Sequence, residues 1–361
     1  MRYKTDENSN KPAYMQLYAQ IRDDITTGTI KYGDRLPSKR TLAAEAGVSV
    51  ITAEHAYGIL CDEGYVESRQ RSGYYAVYRD ADFISNPGSP GQTRRAAPSH
   101  SGAVTFPFSV MAKTMRRVLS EYGDAILYKS PSKGVLRLRE AISSYLSRSN
   151  GMKADPSQII VGAGAEYLYG LLTQLLGTGR IYATEDPCYD KIRRVYKAHG
   201  VVYEKLPLGP NGIDSAALAA SSATVLHITP FHSYPSGVTA DASKRREYLN
   251  FAASRGGYII EDNYDSEFTV SRKNEDTVFS LSECGRVVYV NTFSMTVAPS
   301  IRVGYTVLPP ALSEEFDRRL GFYSCTVPVF EQYVLAELID NGDFERHINR
   351  VRRKKRTQTE K

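Results

Sequence analysis

Asp262 closes the apolar run Gly257-Tyr-Ile-Ile-Glu261. A carboxylate at the end of a buried strand is costly to desolvate unless a partner meets it, and a protonated pyridine nitrogen would be a suitable one. A second group, Gly162-Ala-Gly164-Ala165-Glu166, lies between a strand-like run and a helix start. Its small residues could bring backbone N–H groups and the positive helix end close to a phosphate, although many such turns carry glycine for steric reasons alone. A third stretch, Asn291-Thr-Phe-Ser-Met-Thr-Val-Ala-Pro-Ser-Ile-Arg302-Val-Gly-Tyr305, has Met295 at its centre. A thioether has no proton to lose and no nitrogen with which to attack an aldehyde, so position 295 is unfit for Schiff-base chemistry.

These groups need a rigid frame, and the pattern beyond Phe106 supplies one. Apolar runs alternate with helix-length segments. Gln158-Ile-Ile-Val-Gly162 precedes a helix over about 165–176, and Ile181-Tyr-Ala-Thr precedes one over about 192–198. Further runs start at Thr224, Gly257, Val287 and Val303. Such alternation predicts an α/β domain with a mainly parallel sheet, whose ligands sit in loops at strand ends. The loop Thr229-Pro-Phe-His232-Ser-Tyr-Pro-Ser-Gly237 is one of these.

The front of the chain has a different texture. Leu17, Tyr18, Ile21 and Ile25 recur at helical spacing before Gly28. Ser38 is placed to cap a short helix through Ala46, Gly47-Val48-Ser49 makes a tight break, and a second capped helix is predicted from Ser49 to Asp62. Two short helices so joined form a helix-turn-helix, whose second helix can enter the major groove. Tyr65 to Tyr78 then reads as a hairpin with Arg69 and Arg71 near its tip, the composition of a phosphate-touching wing. Arg35-Leu-Pro-Ser-Lys-Arg40-Thr-Leu-Ala, Gly47-Val-Ser, Ala56-Tyr-Gly-Ile-Leu and Gly73 resemble the GntR winged helix over roughly residues 11–78. The resemblance assigns Arg35, Ser38, Arg40, Ser49, Thr52 and Arg71 to DNA. Where that family often has arginine after Gly-Val-Ser, this chain has Val50, which suits an apolar contact such as a thymine methyl.

Composition narrows the classes without choosing among them. The 361 residues are 42% hydrophobic and 24% charged, a globular balance that suggests two or three domains. No apolar run is long enough to span a bilayer and the polar N-terminus lacks a signal core, so a cytoplasmic protein is expected. Cys61, Cys188, Cys284 and Cys325 are far apart, which predicts buried free thiols and no metal site. The net charge of +6 resides wholly in residues 345–361, with eight Lys or Arg against two Glu. Bulk charge therefore adds nothing to the case for DNA at the front. Residues 79–104, rich in Pro, Gly and Ser between 86 and 99, read as a linker.

The larger part resembles the fold-type I, PLP-dependent-transferase-like domain, a three-layer α/β fold, in the form found in MocR-type regulators. The carrying residues are Glu185-Asp-Pro-Cys-Tyr189, Thr229-Pro with Tyr234-Pro-Ser-Gly237, Ile260-Glu-Asp262-Asn-Tyr264, and Thr292-Phe-Ser-Met295 with Arg302-Val-Gly-Tyr. By this resemblance the segments are a winged helix over 1–78, a linker over 79–104, an aminotransferase-like domain over 105–345, and a basic tail over 346–361 that starts a truncated C-terminal domain. It also implies that Asp262 pairs with the ring nitrogen of pyridoxal 5′-phosphate (PLP), that Tyr264 donates to the ring hydroxyl, and that Tyr189 stacks near the ring. Gly164, Ala165, Ser294 and Arg302 would surround the phosphate. Met295 stands where the family's lysine forms the Schiff base, so the expectation is a regulator that binds a B6 vitamer or an amino-acid-like effector noncovalently. Double-stranded DNA and a second copy of the chain are the other implied partners. An aminotransferase and a dead dimerisation domain remain the alternatives.

Overall fold

The computed structural model describes residues 3–6, 12–69, 72–78, 106–264, 266–268, 276–282 and 285–359. Arg71, Cys284 and the stretch read as a linker lie outside these residues. Contacts divide the chain into two compact units, Met1–Ala103 with Pro107–Arg117, and Val104–Phe106 with Val118–Lys361.

In the first unit, serine caps and glycine stops set the helix ends. α1 (Ala13–Thr26) buries Leu17, Tyr18, Ile21 and Ile25. α2 (Lys39–Ala46) starts where Ser38 Oγ accepts from the Thr41 N–H, and ends at Gly47 in the left-handed region, at φ 67°. That conformation suits glycine, which has no Cβ to clash. α3 (Val50–Asp62) begins at a second cap, Ser49 Oγ accepting from the Thr52 N–H at 3.1 Å. Its inward face carries Ala53, Ala56, Tyr57 and Leu60. Tyr57 then links helix to hairpin, stacking on Tyr74 at 4.2 Å and donating its hydroxyl to the Pro37 carbonyl at 2.7 Å. β1 (Val66–Arg69) and β2 (Gly73–Ala76) pair antiparallel, with Arg69 opposite Gly73. α4 (Phe108–Tyr122) begins in this unit, and its Arg116 donates to the carbonyls of Glu63 and Gly64.

The second unit continues with α5 (Leu136–Asn150), β3 (Ile159–Gly162), α6 (Ala165–Leu176), β4 (Tyr182–Asp186), α7 (Asp190–Ala198), β5 (Tyr203–Gly209), β6 (Gly212–Ile213) and α8 (Ser215–Ala220). There follow β7 (Val225–Ile228), α9 (Ala242–Ser254), β8 (Tyr258–Asp262), α10 (Val278–Leu281), β9 (Val287–Thr292), β10 (Gly304–Val307), α11 (Pro310–Leu320), α12 (Val329–Asp340) and α13 (Asp343–Thr359). The sheet order is β3-β10-β9-β8-β7-β4-β5-β6. From β9 to β5 the pairing is parallel, while β10 runs antiparallel to both β9 and β3.

Parallel strands covered on both faces must be apolar on both, and β3, β7 and β9 are buried throughout. Alternate residues then serve opposite layers. Val225 and Ile260 pack with Leu168, Leu172, Tyr196 and Phe316, whereas Leu226 and Ile259 pack with Leu218, Tyr248 and Phe251. This makes three layers, with α6, α7 and α11 on one side of the sheet and α8, α9 and α10 on the other.

Two sequence expectations are refined. The basic stretch after 345 belongs to α13, which buries Phe344, Ile348 and Val351, spaced to share one helix face. The expected burial of thiols holds for Cys325, whereas Cys61 and Cys188 are half-buried. No helix among the described residues is long and apolar enough to cross a membrane.

Gln332 of α12, fully buried, ties the loop before α5 to the domain. Its Oε1 accepts from the Val135 N–H at 2.7 Å, and its Nε2 donates to the Val327 carbonyl at 2.8 Å and to Ser130 Oγ at 3.0 Å. Gln332→Leu would leave buried backbone groups unpaired. The expected loss is about 2–4 kcal/mol in a urea unfolding experiment, and a loss below about 1 kcal/mol would show that water or relaxation replaces these bonds.

Candidate functional site

At the C-terminal ends of the parallel strands lies a cavity of about 370 Å³, lined by residues from β8, β9, the start of α6 and the loops after β4 and β7. Ala165, Tyr189, Asp262, Tyr264, Ser294, Met295 and Arg302, all singled out from the sequence, line it together. Gly164 sits at its edge, at φ 86°, where an added Cβ would come within 2.8 Å of Arg302 Nη2. A backbone with no side chain there lets the guanidinium lie directly on the turn.

Asp262 is 3% exposed at the end of β8. Its Oδ2 accepts a short hydrogen bond from the Tyr169 hydroxyl, and His227 Nε2 lies 3.8 Å away. His227 Nδ1 in turn meets the Tyr196 hydroxyl at 2.5 Å. Burial first, and then the neighbouring Asp262, push the Tyr169 phenol well above its ordinary range, so it stays protonated and keeps donating. Asp262 Oδ1, by contrast, is buried with no hydrogen-bond partner among the described residues. Ser294 Oγ is in the same condition. Other buried polar atoms of this unit share that condition, but Asp262 and Ser294 both line the cavity, where a polar ligand could meet them.

The sequence reading did not single out Tyr169 and His227. Tyr169 follows Ala165 by four residues and so shares its helix face, a usable signal. His227 interrupts the apolar run Val225-Leu-His-Ile228, where a buried imidazole needs partners.

The loop after β7 is held by another buried acid. Glu185 accepts from the Thr229 N–H at 3.1 Å and from the Ser233 hydroxyl. Ser233 N also donates to the Val238 carbonyl at 2.8 Å, which closes the turn carrying Tyr234. Tyr189 and Tyr234 meet edge to face at 6.3 Å, and Tyr264 donates to the His232 carbonyl at 3.0 Å. Met295 is 49% exposed, and no lysine is among the described residues that line the cavity.

In the first unit, Arg35, Arg40 and Arg69 are all exposed. Arg69 lies over the Tyr75 ring at 4.6 Å and pairs with Glu67 at 3.2 Å. Ser38 and Ser49 spend their oxygens as helix caps, and Thr52 Oγ1 lies 2.8 Å from Ser49 Oγ. Val50 and Ile51 are exposed at the start of α3, and Glu54 pairs with Lys39 at 2.8 Å. The exposed start of α3 is thus apolar.

Residues 13–75 match the family described as bacterial regulatory proteins, gntR family, and residues 101–360 match aminotransferase class I and II. The chain is 34% identical over 359 residues to the HTH-type transcriptional regulator YdeL of Bacillus subtilis, covering 96% of this chain and 78% of that protein. It is 30% identical over 374 residues to the probable rhizopine catabolism regulatory protein MocR of Rhizobium meliloti, covering 96% and 76%. Against the pyridoxine biosynthesis regulator PdxR of Corynebacterium glutamicum, identity is 28% over 343 residues, covering 94% and 75%. Among solved structures, an archaeal alanine:glyoxylate aminotransferase aligns with a TM-score of 0.62 at 21% identity, covering 67% of this chain and 62% of that one. A kynurenine aminotransferase of Pyrococcus horikoshii, solved with PMP, aligns at 0.61 and 25%, covering 69% and 64%. The chain thus spans less than two thirds of these aminotransferases. Their fold normally binds PLP. The residues present here fit that group, since Asp262 Oδ1 offers a buried acceptor, and Ser294 Oγ, Arg302 and the Gly164 turn offer an anion cradle.

Burial pushes the Glu185 carboxyl up to about 8, against the pull of its bonds to Ser233 and Thr229, and nearby Asp262 adds to the rise. The folded chain therefore holds a proton that the unfolded chain releases at its ordinary, lower value. The stability this group contributes is complete below that value and lost as pH rises through about 8. The melting temperature of the wild type should fall relative to Glu185→Gln between about pH 5 and pH 8. Parallel pH profiles for the two proteins would rule this titration out.

Proposed function

The chain belongs to the GntR-type transcriptional regulators that carry an aminotransferase-like domain, the group of MocR and PdxR, and from that premise we propose that its second unit binds a B6 vitamer reversibly, as a signal to the DNA-binding head. One observation carries this reading. The cavity keeps an unpartnered carboxylate oxygen at Asp262 while Met295 removes the amine that covalent attachment needs.

In this reading Asp262 holds the ring nitrogen, and Tyr169 and His227 fix its orientation from behind. Tyr264 meets the ring hydroxyl and Tyr189 the ring face. Ser294, Arg302 and the Gly164-Ala165 backbone take the phosphate at the start of α6. When bound, the group supplies an electrophilic aldehyde beside an electron-accepting ring. Met295 can neither bond to that aldehyde nor carry a proton to or from it, so the site binds and orients but does not turn over. An amino-acid-like effector is the second ligand class such a pocket suits. The name of PdxR, which ties that relative to pyridoxine biosynthesis, supports the B6 compound.

A ligand regulates only by binding two arrangements of the protein with different affinity. In the head, Arg35, Arg40, Arg69 and Arg71 would meet phosphates, with Ser38, Ser49 and Thr52 at the helix starts beside the backbone. Val50 and Ile51 would meet thymine methyl groups. A homodimer would give paired half-sites, and the exposed Leu127, Tyr128 and Phe322 of the second unit offer apolar surface for it.

Titration with PLP, then borohydride reduction and intact-mass measurement, should show saturable binding that dialysis reverses and no added mass. Met295→Lys should gain the mass of one reduced cofactor. Asp262→Asn should weaken binding by about 10- to 100-fold, the worth of one charged hydrogen bond. Covalent capture by the wild type, or no binding at all, would defeat the reading. Arg40→Ala should lower DNA affinity and reduce the salt slope by about one, read by fluorescence anisotropy on DNA selected with the wild type. An unchanged slope would remove Arg40 from the phosphate contacts.

A further inference from the structure

The phosphate end of the cavity already contains an anion. Glu166, in the first turn of α6, pairs with Arg302 Nη2 and with Lys191 Nζ, the latter at 2.7 Å. Its place at a helix start favours a negative charge, and its side chain is 24% exposed. Burial raises its carboxyl, but the bonds to Lys191 and Arg302 outweigh this and pull it down to about 2. Arg302 lies close to the turn before α6. It follows the short helical turn Pro299–Ile301 in the left-handed region, at φ 50°, and its guanidinium lies against Gly164.

Charge makes the consequence definite. Arg302 and Lys191 bring two positive charges, Glu166 returns one, and a phosphate monoester brings about 1.5–2 negative charges at neutral pH. An entering phosphate shares Arg302 with a carboxylate that stays beside it. Ser294 Oγ is buried with no hydrogen-bond partner among the described residues, so it gives up nothing to meet a phosphate.

We propose that Glu166, which pairs with Arg302 at the cavity and with Lys191 beside it, is a built-in competitor for the ligand's phosphate and narrows the preference for phosphorylated over unphosphorylated B6 compounds. The proposal rests on the B6 reading of this cavity, and assigns Glu166 as the residue that sets which form is sensed. A carboxylate with only a helix-capping role would not distinguish the two forms.

The full-length wild type, Glu166→Gln and Glu166→Ala are titrated by calorimetry with PLP, pyridoxal and inorganic phosphate, after thermal melts confirm folding. Both variants should bind PLP and inorganic phosphate about tenfold more tightly, while pyridoxal stays within about twofold, as expected for one charge removed from a partly solvated pocket. Phosphate-bearing probes bound no tighter, or pyridoxal gaining as much as PLP, would overturn the proposal while leaving the B6 reading intact. Inorganic phosphate gaining affinity while neither vitamer binds any of the three proteins would overturn the B6 reading and leave Glu166 as the competitor.

Discussion

A desolvated carboxylate at the end of a central strand is the constraint around which the second unit is arranged. Asp262 could not sit there bare, because an unpaired buried charge would cost more than a domain can spare. Tyr169 from α6 and His227 from β7 bracket one of its oxygens, and Tyr196 from α7 holds His227 in turn. Helices of one layer are thereby tied by polar contacts to the ends of two adjacent strands. The other oxygen is buried and has no hydrogen-bond partner among the described residues.

Much of this was legible in sequence, for reasons that differ by residue. Ser38, Gly47 and Ser49 act within three or four positions of themselves, so their effect on helix ends is local and readable. Asp262 was readable because an acid closing an apolar strand is improbable without a partner. Tyr169, Glu185 and Glu166 were not, because their roles depend on residues between 25 and 136 positions away. The helix face Tyr169 shares with Ala165 points it toward the cavity, but nothing in the sequence marks Asp262 as its partner, nor Lys191 and Arg302 as those of Glu166. The antiparallel insertion of β10 between β3 and β9 was hidden for the same reason, since an apolar run records burial and not direction.

The separation of fold from chemistry is concrete at Met295. The residues that shape a pocket also pack the domain. Thr292 and Phe293 on one side of position 295 and Thr296 and Val297 on the other are buried, while Met295 itself is half exposed. A side chain without an amine there costs none of the packing that the fold requires. A binding site can therefore outlive a catalytic one on the same frame, and a regulator needs only differential binding.

The two buried acids near the cavity divide its electrostatics. Glu185 and Asp262 stand at the ends of β4 and β8, on either side of β7, and Asp262 adds to the rise of the Glu185 carboxyl. Burial, with Asp262 nearby, raises the Glu185 carboxyl, which serves the loop after β7 by its hydrogen bonds. Asp262 stands at one end of the cavity, and Arg302, paired with Glu166, stands at the other. A ligand that is positive at one end and negative at the other matches this polarity. A uniformly anionic or uniformly apolar one of the same size would leave at least one buried group uncompensated.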